Sequence, residues 1–537
     1  MAGHHPDSIK YAGDYNLRDI VLINHNGERV PLVPGLVQQV SIYEDINKNS
    51  ITGTVTILDP QNLINTVPLM GSERLAFTLW TPGTTTNEQI IDASEETGYP
   101  FHIYALTDLK KASETTQNYI LHFGSRDFIN NLRMRVSQAY EGPLHAAALA
   151  ILTDKMGLNT PRAIMYEPTL NKDKVVIPNL RPLDAIGFLA SRSLSKNSNA
   201  AGYYFYETTK GYHFRSYESM LSLKGKYARE PKLTLTYQPK VVKSAGQVEG
   251  NLTAVDSYEF LQHFDTASNQ ASGTYSSRVI THNIFDKSFQ VSDYDYLADF
   301  PNHFHADSQG TASMHNWPIS ATPVDMNKNY ISSFPEAYVC LKPTTQFLHG
   351  DNSLYSGSTS VTDLLAIAGK SAASKIDMSD DDKKILSTLA SIGGVGGMFG
   401  LLPEVEGYIE AQRLSQRNQL ANTNVLKIVM AGHSYVEAGD VIHFELPAVE
   451  KGKGTLRNKR IDEHHSGRYL ITSLQHMIQG KSYKMILGCS KDSVYENYVS
   501  SQTYHSSNLP KDRIVNIYLD DEKWTGEKAS PGHPSNR

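Results

Sequence analysis

The sequence predicts an α+β, β-rich fold in which two strand-dominated blocks flank a small α/β middle domain and carry helical insertions; three observations predict it. Residues 17–123 hold short runs of alternating β-branched and polar residues separated by turn signals. At Ser125 the period lengthens to that of amphipathic helices. From Lys232 the two-residue alternation returns, and after a long stretch without it recurs over 425–490.

Taken in order, residues 1–16 read as an N-terminal arm. The first β block, 17–124, opens with Ile20 and Leu22, turns at Asn26-Gly27, a dipeptide that tolerates positive φ, and returns through Val30, Leu32 and Val33. Strands are expected at Val37 to Asp45, Ile51 to Leu58, Leu75 to Trp80, Phe101 to Leu109 and Tyr119 to Phe123, the spacing of a barrel or sandwich, with a short helix over Pro60 to Val67. The middle domain, 125–231, begins with two expected helices, Ser125 to Ala139 and Pro143 to Met156, the second closed by Gly157. A helix over Pro182 to Leu194 then leads into aromatic strands at Gly202 to Tyr206 and His213 to Ser216. The second block is assembled from 232–300 and 425–495. Its strands fall on Leu233 to Tyr237, Tyr258 to Asp265, Val279 to Phe289, Val425 to Met430, Val441 to Pro447, Gly467 to Leu474 and Lys484 to Cys489. Between its parts lies a 301–424 insertion, rich in Ser, Thr, Asn and His up to about 380 and ending in a helix over Glu404 to Ala421, whose single apolar stripe predicts a solvent-facing element. Residues 496–537, with few large apolar groups, read as a C-terminal arm.

A chain of 537 residues exceeds one hydrophobic core and divides into about three or four packed units. Hydrophobic residues at 40% and charged residues at 20% are ordinary globular values, so most of the chain is expected to fold. Fifty basic against 56 acidic residues give a net charge of -6, which argues against a duplex-binding role. The two cysteines, Cys340 and Cys489, supply neither a disulfide framework nor a CxxC site and suit a reducing cytosol. Met1 to Lys10 has no apolar stretch for secretion machinery to recognise, so retention inside a cell is expected. Ile385 to Pro403 is uncharged over about a membrane span, but Gly393, Gly394, Gly396, Gly397 and Gly400 favour a turned segment lying against protein, and no stable membrane insertion is expected.

Asp256 with Glu259, or Asp293 with Asp295, could supply the carboxylate pair of a glycosidase, but loop and strand acids usually face water. His303 and His305, with Asp307 beyond, are the candidate metal ligands, because alternate residues of a strand share a face; His464-His465 after Asp462-Glu463 are weaker ones. No HExxH or cysteine pair completes either set, and exposed polar histidines are the default reading. Gly394-x-Gly396-Gly397-x-x-Gly400 lacks the Lys-Ser/Thr of a phosphate loop. Tyr203-Tyr204-Phe205-Tyr206 could stack on bases or sugars, although core packing is favoured. No catalytic residue, cofactor or enzymatic activity is expected.

Three further blocks of the chain belong together, taken in order. The first is Ile20-Val21-Leu22-Ile23-Asn24, Ile42-Tyr43-Glu44-Asp45-Ile46, Gly53-Thr54-Val55-Thr56-Ile57-Leu58-Asp59 and Asn62-Leu63-Ile64-Asn65. The second is Val176-Ile177-Pro178-Asn179, Pro182, Ala185-Ile186, Leu189-Ala190-Ser191-Arg192, Tyr204-Phe205-Tyr206-Glu207 and Phe214-Arg215-Ser216. The third is Ala438-Gly439-Asp440-Val441-Ile442, Pro447, Gly467-Arg468-Tyr469-Leu470-Ile471-Thr472 and Lys491-Asp492-Ser493. Together they cover most of the chain, and in this order they resemble the central baseplate hub protein of T-even-type contractile phages; the insertion around 300 to 380 and the Gly-rich 391 to 400 segment find no match.

The resemblance implies two tail-tube-like antiparallel β-barrel modules per chain and a homotrimer, so that six similar modules surround a channel through which DNA passes without specific binding. It further implies docking to a trimeric central spike protein, to the tail tube or tube-initiator protein and to baseplate wedge proteins. The location implied is the virion tail, assembled in the host cytoplasm. Two alternatives stand beside it. A secretion-system spike protein would continue into repetitive β-helix sequence, and no such repeat follows Asp492. A tail-associated cell-wall hydrolase would need a catalytic domain, for which the 301–424 insertion is the available room.

Overall fold

The computed structural model describes residues 11–82, 90–222, 231–237, 252–307, 329–343, 403–448 and 461–494, apart from short gaps within these spans, together with 9 and 317–318. The start of the expected N-terminal arm, the Gly-rich segment, most of the 301–424 insertion and the C-terminal arm lie outside the described residues.

The first block starts with β1 (Asn16–Ile23) and β2 (Arg29–Pro31), an antiparallel hairpin. Its turn is shaped by the Asn24 side chain, which accepts from the amides of Asn26 and Glu28, and by Gly27 at φ +84°. Next come β3 (Val37–Asp45), β4 (Thr52–Asp59), the one-turn α1 (Leu63–Thr66), β5 (Arg74–Trp80), β6 (Ile91–Asp92), β7 (Phe101–Lys111) and β8 (Gln117–Gly124). They pair in the order β2-β1-β5-β7-β8-β4-β3, with β6 added to β5. Among the described residues no ladder joins the two ends. The connection between β2 and β3 ties them instead: Leu32 donates to Ile20 O and Leu58 donates to Leu36 O.

The middle domain contains α2 (Arg126–Arg133), β9 (Ala139–Pro143), α3 (Leu144–Thr153), β10 (Ile164–Tyr166), β11 (Lys172–Val176), α4 (Pro182–Ala190), β12 (Tyr203–Thr208), β13 (Gly211–Ser216) and α5 (Tyr217–Leu221). Ser125 caps α2 by accepting from the Phe128 amide. The helix predicted to reach Ala139 stops at Arg133, and Ala139–Pro143 pairs with β11 instead. Gly142, at φ +119°, and Pro143 resist helical geometry there. Ile186, Leu189, Phe205 and Tyr212 anchor a separate core.

After β14 (Thr234–Tyr237), β15 (Ala254–Gln262) and α6 (Thr266–Ala271), the chain forms β16 (Ser276–His282), β17 (Phe289–Asp295), α7 (Tyr296–Asp299), β18 (Trp317–Pro318) and β19 (Val339–Pro343). Then come α8 (Pro403–Asn422), β20 (Asn424–Ala431), β21 (Val441–Glu445), β22 (Gly467–Gln479), β23 (Ser482–Lys491) and β24 (Ser493–Val494), the last paired with β18. A closed six-stranded barrel runs β22-β21-β14-β15-β20-β23 and back to β22. Three expectations change here. The barrel is not wholly antiparallel, because β14 lies parallel to both β15 and β21. The 232–300 segment divides, since β16, β17 and β19 leave the barrel for their own sheet. Finally, α8 is not solvent-facing. It packs beneath that sheet and turns an amide-rich face inward, where Gln412 accepts from the Ala201 amide (2.9 Å) and Ser415 donates to Thr274 O (2.6 Å).

The two β blocks share one strand. Gly467–Leu470 of β22 pairs with β21, whereas Ser473–Gln479 pairs with β3 of the first block; β23 follows the other edge. A register shift between Ile471 and Ser473 marks the change of partner. Val55, Phe77, Phe123, Ile428, Phe444, Ile471 and Leu487 accordingly belong to a single hydrophobic cluster spanning both blocks.

Candidate functional site

Where β3, the β12–β13 turn and the loop before β21 meet, apolar packing gives way to buried charge. Register places Glu44 inward on β3, in line with Val40 and Ile42. Its carboxylate accepts from the Thr209 amide (2.7 Å) and the Ala438 amide (2.9 Å). Glu437 accepts from the Thr208 hydroxyl at 2.7 Å and lies 3.5 Å from His213 Nε2. On the other side of the turn, Glu207 accepts from the Ile51 amide (3.0 Å) and pairs with Arg162, which also donates to the carbonyls of Thr208 and Thr209. Lys210 donates to Ile90 O. Tyr206 stacks on His213 with centroids 4.7 Å apart and approaches Gly439, where an added Cβ would lie 2.1 Å from its hydroxyl. Burial, foremost, and the Glu437 charge raise the Glu44 pKa to about 7 against the two amides. Burial likewise raises Glu207, opposed by Arg162.

A second buried cluster joins the middle domain to α7 and α8. His303 faces Glu218 through Nδ1 and Asp299 through Nε2 (3.0 Å), and Tyr408 and Gln412 of α8 complete its surroundings. Both nitrogens of His305 face acceptors, Asp492 Oδ2 at 2.8 Å and Phe300 O at 2.7 Å, while its ring stacks on Phe300. Asp307 accepts from the Arg468 amide and from Lys491 Nζ (3.2 Å). The candidate metal ligands thus correct two expectations. His303 and His305 are buried, and they lie outside any strand, each turned toward a different set of partners. Among the described residues, no group of three or more His, Cys, Asp or Glu is arranged to hold a metal ion.

The remaining candidates are dispersed. Asp256 is exposed and pairs with Lys484, Glu259 is exposed on the same strand, Asp293 pairs with Arg278, and Asp295 caps α7. His465 bonds Asp462, and its ring sits 4.7 Å from that of His263. Tyr203, Phe205 and Tyr206 are buried, as is Cys489; Cys340 is half-buried. Glu44 and Glu437 were not singled out by sequence because their partners lie 165 and 229 residues away. For Glu44 the available signal is an acid at an inward position of an alternating strand; Glu437, in the loop before β21, carries none.

One face is apolar and open. The outer side of the β17-β16-β19 sheet aligns Val291, Ile280 and Leu341 in register, flanked by Phe289 and Val339; Phe289 is 70% and Leu341 72% exposed. Among the described residues no helix is long and apolar enough to cross a membrane.

No family model and no curated protein matches the chain. Solved structures similar to it include tail proteins of phages and prophages, a phage baseplate and a type VI secretion system component. One is a tail protein from Neisseria meningitidis MC58, 11% identical over 89% of this chain and 97% of that one, with a TM-score of 0.44. A second is the 43 kDa tail protein of prophage MuSo2 from Shewanella oneidensis, at 8% identity, 88% and 98% coverage and a TM-score of 0.43. A third, from E. coli, is a type VI secretion system component described as similar to T4 tail proteins gp27 and gp5; identity is 9%, coverage 85% and 73%, and the TM-score 0.36. At such scores the likeness supplies no residue-level correspondence.

Proposed function

We propose that this chain is a structural virion protein, the homotrimeric central hub of a phage tail baseplate, and not an enzyme. The observation that carries the reading is β22, which belongs to both β blocks and holds them edge to edge in one continuous sheet. Two β modules fixed side by side in each chain let three copies present six wall segments around an axis. A threefold spike and a sixfold tube then each find repeated, equivalent surfaces. The sequence resemblance supplies the partners: a central spike protein, the tail tube or its initiator, and wedge proteins, with DNA passing along the axis. Assembly in the host cytoplasm and residence in the virion tail follow from that role. The exposed apolar row on β16, β17 and β19 suits a subunit that buries surface on assembly.

The mass of the purified protein in solution, alone and mixed with its spike, tests the proposal. A mass of three chains that rises on adding the spike supports it; a persistent monomer that cleaves peptidoglycan eliminates it.

A further inference from the structure

We infer that the β12–β13 turn is a proton-linked latch: Glu44 of the first β block and Glu437 beside the barrel grip successive residues of the turn, and one proton at this carboxyl pair sets how firmly the middle domain is docked on the shared wall. This goes beyond the hub role and does not depend on the number of copies that assemble.

The case is geometric first. Glu44 holds the Thr209 amide with one oxygen and the Ala438 amide with the other, so a single side chain bridges all three modules. Glu437 holds the hydroxyl of Thr208, the preceding residue. Both glutamates are at most 4% exposed, so neither charge is relieved by water. Around Glu44 stand Glu437 from the loop, Lys210 from the turn and Tyr483 from β23, while Asp440 of the same loop accepts from the Glu437 amide and faces Lys210. One step further out are His213 on β13, facing Glu437; His476 on β22, bonded to Tyr483; and Lys232, 3.5 Å from Asp440. Glu207 and Arg162 flank the turn's other side. Ionising Glu44 therefore sets a second charge beside Glu437 in a dry junction, whereas protonation leaves one carboxylate to hold the turn.

The direction follows from linkage. Because the docked value, about 7, exceeds the ordinary 4.5, docking retains its full contribution from this group below pH 4.5. That contribution is lost as pH rises toward 7, and the loss levels off above it. Opening of the turn should increase about tenfold from pH 6 to pH 8.

Hydrogen exchange of the full-length protein reads this out in peptides carrying the Thr209 and Ala438 amides, corrected for intrinsic rates, with mass measured at each pH to separate latch opening from dissociation of copies. The expected result is a tenfold loss of protection in these peptides, abolished in Glu44→Gln. In Glu437→Gln, which keeps an acceptor oxygen for Thr208 but removes the neighbouring charge, the transition should move to lower pH. Protection unchanged from pH 6 to pH 8 overturns the latch. So does an unmoved transition in Glu437→Gln, a result that does not require the Glu44 variant to fold.

Discussion

Burial alone would lower the pKa of His303, yet Asp299 and Glu218 on either side hold it well above the usual histidine range. A raised value means that the stability this site contributes is fully present below about pH 6.5 and is lost only as pH rises through the folded value. Replacing His303 with Leu leaves two buried carboxylates without their cation. We predict a loss of about 3–5 kcal/mol in the free energy of unfolding, measured from urea midpoints at pH 6. Asp492 behaves in the opposite sense. Burial raises it, but His305 and the Ala306 amide outweigh burial and hold it below the ordinary carboxylate value. Its contribution is present above the ordinary value of 3.8 and fades as pH falls through the depressed one. The stability gap between wild type and Asp492→Asn should accordingly narrow as pH falls from 5 toward 3; a constant gap would show that the pair is not ionic. The His303-x-His305 pattern was visible in the sequence, but its use was not. Of the groups that answer His303, Asp299 is four residues away, but Glu218, Tyr408 and Gln412 lie 85 to 109 residues away, and only tertiary packing brings them to it.

Strand positions were the more legible feature, because a half-buried strand writes its alternation directly into the chain. In β4 the inward positions Gly53, Val55, Ile57 and Asp59 alternate without a break. Gly53 is the constrained one: an added Cβ would lie 2.1 Å from the Phe123 ring and 2.5 Å from Ser41 O. Gly53→Ala should lower stability by about 2–3 kcal/mol, seen as a reduced denaturation midpoint with unchanged slope. Strand direction was not legible. Alternation is the same in parallel and antiparallel neighbours, so the parallel pairing of β14 could not be anticipated. Helix α8 was misplaced for a related reason. Glutamine and serine mark a wet surface by composition, and here they satisfy backbone groups inside.

At the scale of the molecule, the two β-rich blocks and the α/β domain between them could be read from changes of period, whereas the sharing of β22 could not, since one alternating strand does not reveal how many partners it has. That sharing has an energetic consequence. With one core cluster beneath both blocks, their unfolding should be a single event. Protection of β4 and β20 amides is predicted to be lost at the same denaturant concentration. Leu474→Ala, in the shared part of β22, should cost about 2–5 kcal/mol of unfolding free energy and lower both midpoints together. Separate transitions would show that the blocks are independent domains. The most direct test of the central claim is the rotational symmetry of single particles of the purified chain, imaged by electron cryo-microscopy. The account predicts rings of three chains whose six β modules surround an open axis; particles of one chain, or rings whose axis is closed, would contradict it.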